Sequence, residues 1–182
     1  MRKIIGSMAI SLLLTSNANA KTNTYVSLKY ANGSGTETID YAGRTKEATF
    51  DMSEVSLGIG LVLAENNHIE LNYNTMNTDG YDLESYGFDY IRSIESLSFN
   101  LGEIKAKPEL GIGLKYYTEV DDRSGLGLNL GLGVSAEVFK NFELGVGYEY
   151  QNVQWESKSG YFGNADTSDE MFDFTLFGRF KF

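Results

Sequence analysis

From Leu126 to Val138 the chain reads LGLNLGLGVSAEV, and every second residue is apolar. Leu126, Leu128, Leu130, Leu132, Val134, Ala136 and Val138 alternate with Gly127, Asn129, Gly131, Gly133, Ser135 and Glu137. A repeat of 180° per residue gives an extended strand two unlike faces and does not suit a helix. The same period returns over Leu110–Tyr116, Phe142–Tyr150 and Phe172–Phe182. A chain patterned this way must become sheet, and the sheet must separate two chemically different spaces.

Eight strands are predicted, at about 24–32, 49–63, 68–77, 85–101, 109–119, 126–139, 142–155 and 170–182. The apolar phase slips between Met52 and Val55, which predicts a β-bulge in the second strand. In the fourth, Tyr86, Phe88 and Tyr90 are out of phase with Leu97, Phe99 and Leu101. Connections at 33–48, 78–84, 120–125 and 156–169 are rich in Gly, Ser and Asp. Those at 64–67 and 140–141 are tight, and 102–108 is intermediate. Long connections on one side and tight turns such as Lys140-Asn141 on the other describe an up-and-down meander.

Arg2 and Lys3, the apolar run Ile4 to Leu14 and the ending Ala18-Asn19-Ala20 have the layout of a cleavable signal peptide over residues 1–20. The run of 11 residues is short for a spanning helix, which needs about 20. Residues 21–182 then form one domain.

Alternation alone leaves open whether the apolar face looks inward, as in a soluble lipocalin-like carrier, or outward toward lipid. Two patterns favour lipid. The polar face carries Gly58, Gly60, Gly111, Gly113, Gly127, Gly131, Gly133, Gly145 and Gly147. A water-facing surface has no need to be small, whereas the lumen of a narrow barrel does. The aromatics also sort by depth. Tyr30, Tyr73, Tyr86, Tyr90, Tyr116, Tyr148, Tyr150 and Phe172 are placed at the long-connection end, and Phe99, Phe142, Phe180 and Phe182 at the short-turn end. Two aromatic girdles around an aliphatic band suit the two water–lipid boundaries.

The last residues, Gly178-Arg179-Phe180-Lys181-Phe182, resemble the C-terminal signal read by the insertion machinery of bacterial outer-membrane proteins. With them, residues 24–182 resemble the small eight-stranded outer-membrane barrels: the OmpX/Ail type, the opacity-protein type and the OmpA transmembrane domain. That resemblance implies an all-β, antiparallel, up-and-down transmembrane β-barrel in the outer membrane of a Gram-negative bacterium. It also implies Gly178, Phe180 and Phe182 as the insertion signal. Closure leaves no backbone group unpaired against lipid.

On the lumen face, parity places Glu70, Glu109, Glu137, Glu143, Arg179 and Lys181 toward the short-turn end, and Lys29, Lys115, Glu149 and Asp173 toward the other. Buried charges persist only when paired, so a network closing the barrel is expected, with Arg179 close to Glu143. A narrow porin or channel is the alternative use of the same lumen.

Several chemistries are disfavoured. The net charge is −10, which argues against nucleic-acid binding. The chain has no Cys and one His, His68, placed at the short-turn end as a capping or solvated residue. A Ser at the far end therefore has no imidazole to activate it, and no enzyme activity is expected. No cofactor and no metal site is expected. Function is assigned to the long connections, which are acidic, with thirteen acids against four bases over residues 33–48, 78–85, 119–125 and 156–170. The expectation is a monomer in contact with lipid and lipopolysaccharide, with a structural or adhesion-like surface role and an unknown surface or host partner. Tyr161 and Phe162, flanked by glycines and by Asp166 and Asp169, are the candidate contact residues.

Overall fold

The computed structural model describes residues 24–64, 66–79, 82–120, 123–160 and 163–182. They form ten strands: β1 (Thr24–Tyr41), β2 (Arg44–Ala64), β3 (Asn67–Thr78), β4 (Asp82–Ser93), β5 (Phe99–Leu101), β6 (Ile104–Val120), β7 (Arg123–Phe139), β8 (Phe142–Trp155), β9 (Lys158–Gly160) and β10 (Gly163–Lys181). Eight make the wall in the order β1-β2-β3-β4-β6-β7-β8-β10, and pairing of β1 with β10 closes the ring. Every pairing is antiparallel. β5 and β9 are short flaps against β6 and β10.

The apolar face points outward. Leu57, Leu71 and Leu132 are 61%, 64% and 63% exposed, while Ser27, Glu70 and Asp173 on the other parity are buried. A water-soluble carrier has the reverse arrangement, so that reading is excluded. Tyr73, Tyr86 and Tyr116 stand level on β3, β4 and β6, and the first two rings are 5.4 Å apart. Phe172 continues the girdle beside Tyr150 at 4.9 Å. Phe180 and Phe182 stack edge-on, 5.3 Å apart, at the short-turn end. Tyr90 is misplaced by the sequence reading. It lies level with Ile69 and Ile112, toward the short turns, and its hydroxyl donates to Asn67 at 2.8 Å.

Four other expectations are corrected. Residues 33–48 are not a loop, because β1 and β2 stay paired up to Tyr41 and Arg44, turning at Ala42 and Gly43. Both turn residues have positive φ, 51° and 74°, the conformation a two-residue hairpin requires. β10 likewise starts at Gly163 rather than near 170. The fourth strand ends at Ser93. A 3-10 turn over Glu95–Leu97 and the β5–β6 flap follow, which accounts for the phase break after Tyr90. No bulge falls between Met52 and Val55, since the β1–β2 register is unbroken there. The slip has another cause. Met52 is buried inside the barrel, whereas Val55 faces out within the lipid band. Beyond the girdle, apolar side chains turn inward, and Met52, Met76, Leu83, Tyr117, Val153 and Met171 form a compact plug, with Phe50 and Trp155 packed on it.

Candidate functional site

Below the plug the lumen is filled by three ion-pair groups that join non-adjacent strands. Nearest the short turns, the Arg179 guanidinium lies 2.8 Å from Glu109 and 3.9 Å from Glu143, and Lys181 bonds Glu143 at 2.5 Å. Arg179 also lies over the Phe177 ring, 4.4 Å from its centroid. In the middle, Lys29 reaches Glu70 at 2.7 Å and Asp89 at 3.3 Å. Nearer the plug, Lys115 meets Glu54 at 3.0 Å and Glu149 at 3.2 Å.

Amides and hydroxyls knit the groups together. Asp89 accepts from Asn72 at 2.6 Å and Asn129 at 2.7 Å. Asp173 accepts from Gln151 at 3.0 Å and Thr175 at 2.8 Å. Such satisfaction is what allows charges to persist out of water.

The sequence-predicted lumen residues Lys29, Glu70, Glu109, Lys115, Glu143, Glu149, Asp173 and Arg179 thus come together. The near partner of Arg179 is Glu109 across the lumen, and Glu143 on the neighbouring strand stands farther off. Glu137 does not join them. The β7–β8 register shifts between Glu137 and Phe139, and Glu137 is exposed at the rim, in no ion pair among the described residues. Sequence reasoning missed Glu54, Asp89 and Gln151, although Glu54 and Asp89 share the inward parity of the residues it did assign. The group holds seven carboxylates (Glu54, Glu70, Asp89, Glu109, Glu143, Glu149 and Asp173) against four cations (Lys29, Lys115, Arg179 and Lys181).

The lumen glycines do two different jobs. A Cβ on Gly113 meets Asp89 Oδ1 at 1.9 Å, so glycine there makes room for the network. A Cβ on Gly131 meets nothing nearer than 3.9 Å. Gly131, with Gly111 and Gly147, borders a cavity of about 70 Å³ lined also by Lys29, Asp89, Asn129 and Arg179. It has room for a few water molecules.

His68 is not solvated. It is buried in the lumen with its ring edge-on to Tyr25 at 5.8 Å, and its Nδ1 has no hydrogen-bond partner. On the short-turn side, Glu95 is bonded by Lys105 and Lys107, which holds its carboxyl below the usual range.

Past the girdle, β1, β2 and β10 continue as a three-stranded blade for about 30 Å of strand. Residues 41–49 are exposed on both faces. At its base Trp155 donates to Asp169 at 2.8 Å, beside Arg123, whose guanidinium lies 5.9 Å from the Trp155 ring centroid. Burial pushes the Asp169 carboxyl up to about 6, three residues beyond the Phe172 girdle. Tyr161 and Phe162 lie outside the described residues.

No family model and no curated protein matches the chain. Solved structures do. OprG from Pseudomonas aeruginosa, an outer membrane protein, superposes with TM-score 0.52 at 11% identity, covering 89% of this chain and 97% of that one. The outer membrane protein AlkL gives 0.53 at 11%, covering 92% and 94%. A designed transmembrane β-barrel gives 0.54 at 13%, covering 90% and 98%. With its outward apolar band and closed ring, the chain has the fold of these eight-stranded transmembrane β-barrels.

Proposed function

We propose that this chain is a monomeric, non-catalytic surface-contact protein of the Gram-negative outer membrane, with the β1–β2–β10 blade as its working surface. One observation carries the reading: the sheet continues hydrogen-bonded past the girdle to Tyr41, while its side chains over 41–49 stay exposed on both faces. A rigid, solvated projection serves little purpose in holding a barrel together, but it presents side chains to a partner. The lumen serves as a stopper, filled by ion pairs and capped by the apolar plug. Enclosure of His68 away from the outer surface supports the absence of hydrolytic chemistry. The lipid band and the blade's base contact phospholipid and lipopolysaccharide. Gly178 and Phe180, on the outward face of β10, and Phe182 just beyond it act as the signal for the insertion machinery.

The test shortens the hairpin by replacing residues 36–49 with Asn-Gly, then compares the expressing bacteria on serum-coated and matrix-coated surfaces. The truncated barrel is expected to fold, judged by gel mobility without boiling, and to lose adhesion. A folded variant that adheres like the parent refutes the reading.

A further inference from the structure

Of the five methionines, Met1 and Met8 lie in the expected signal peptide. The other three, Met52, Met76 and Met171, meet in the plug, each at most 2% exposed. They come from β2, β3 and β10, so only closure of the barrel brings them together. Methionine commonly fills irregular apolar gaps. Gap filling alone does not require every methionine beyond the leader to converge on one cluster.

The surroundings add a second feature. Alternate residues of a strand share a face. Met52 therefore stands one inward step from Glu54, and Met171 one step from Asp173, both in the carboxylate-rich lumen group. Thioethers are soft, neutral donors that select Cu(I)-like ions over hard cations. Three neutral donors leave a bound cation's charge uncompensated. The carboxylate surplus just beneath them supplies the opposite charge at short range.

We propose that Met52, Met76 and Met171 form a soft-metal site at the outer mouth of the lumen, taking one monovalent d10 cation, Cu(I) or Ag(I). The chain carries its own reporter, because its single Trp, Trp155, packs against the cluster.

The experiment titrates silver nitrate into the folded, full barrel in chloride-free buffer and follows Trp155 fluorescence. The wild type should show saturable one-to-one quenching that excess magnesium does not reverse. Met52→Leu/Met76→Leu/Met171→Leu keeps the plug's volume and should weaken binding at least about tenfold. Asp169→Asn, beside the indole, should leave binding unchanged. Absence of saturable quenching in the wild type, or equal affinity in the triple variant, overturns the site. A second measurement needs no variant: methyl-labelled methionine resonances of the wild type should move together on the same titration. Resonances that stay in place through saturation also overturn the site.

Discussion

Arg179→Met tests whether the lumen network is a structural closure. Arg179 is 2% exposed and holds two carboxylates, Glu109 at 2.8 Å and Glu143 at 3.9 Å. The two are not equally harmed by its loss. Glu143 keeps Lys181 at 2.5 Å. Glu109 keeps only the hydroxyls of Ser135 at 2.6 Å and Ser93 at 3.3 Å, so one buried carboxylate loses its cation. Breaking a buried pair from one side costs about 3–5 kcal/mol. Loss of the guanidinium over Phe177 adds about 1 kcal/mol. The two serine donors offset part of this, so about 3–4 kcal/mol is expected. Adding Glu109→Gln removes the stranded charge while keeping an acceptor for the serines, and should restore at least about 2 kcal/mol. Equilibrium urea unfolding in phospholipid vesicles, read by gel mobility, measures both. A single variant within about 1 kcal/mol of wild type, or a double variant no more stable than the single, refutes the reasoning.

Other outcomes follow from the same geometry. Gly113→Ala should destabilise by about 1–3 kcal/mol, because its methyl meets Asp89. Gly131→Ala, with open space before it, should be neutral or gain up to about 1 kcal/mol in the same unfolding assay. Asp169, raised to about 6 by burial, favours its protonated form when folded. Its contribution to closing the blade's base is present below the unfolded carboxyl value near 4 and is lost as pH rises through about 6. Trp155 fluorescence should titrate in that window, and Asp169→Asn should abolish the transition. In planar bilayers the purified barrel should show no porin-like conductance. Reproducible large channels that vanish in Lys115→Met or Glu149→Gln variants favour the channel reading instead.

Parity was the legible part of the chain. Where one face met lipid and the other the lumen, alternation located eight strands and placed Lys29, Lys115 and Arg179 inside without any contact information. Legibility failed where that two-sided environment ends. Residues 41–49 are exposed on both faces, so their strands alternate nothing and resemble loop. At Met52 the pattern did not break but changed sign, and a change of sign looks like a bulge to a reader who knows only one boundary. Glu137 keeps its parity, paired with inward-facing Glu143, but stands exposed at the rim just before the β7–β8 register shift, and periodicity shows face, not depth. Glu109 as the partner of Arg179 was hidden because opposite walls of a ring carry no sequence relation.

The change of sign at the girdle acts as a draught mark on a hull. Below it, β2 needs oil outside and water-like company within, as at Leu57 and Ser56; above it, Met52 needs oil within. Sliding the barrel outward would put Leu57 and its neighbours into water. Sliding it inward would draw the polar blade into hydrocarbon. Both displacements are opposed, so the barrel's immersion depth is written into its strands. The height of the blade above the cell is set separately, by how many residues lie between Gly33 and the Ala42-Gly43 turn. Evolution can lengthen or shorten that reach two residues at a time without refloating the barrel.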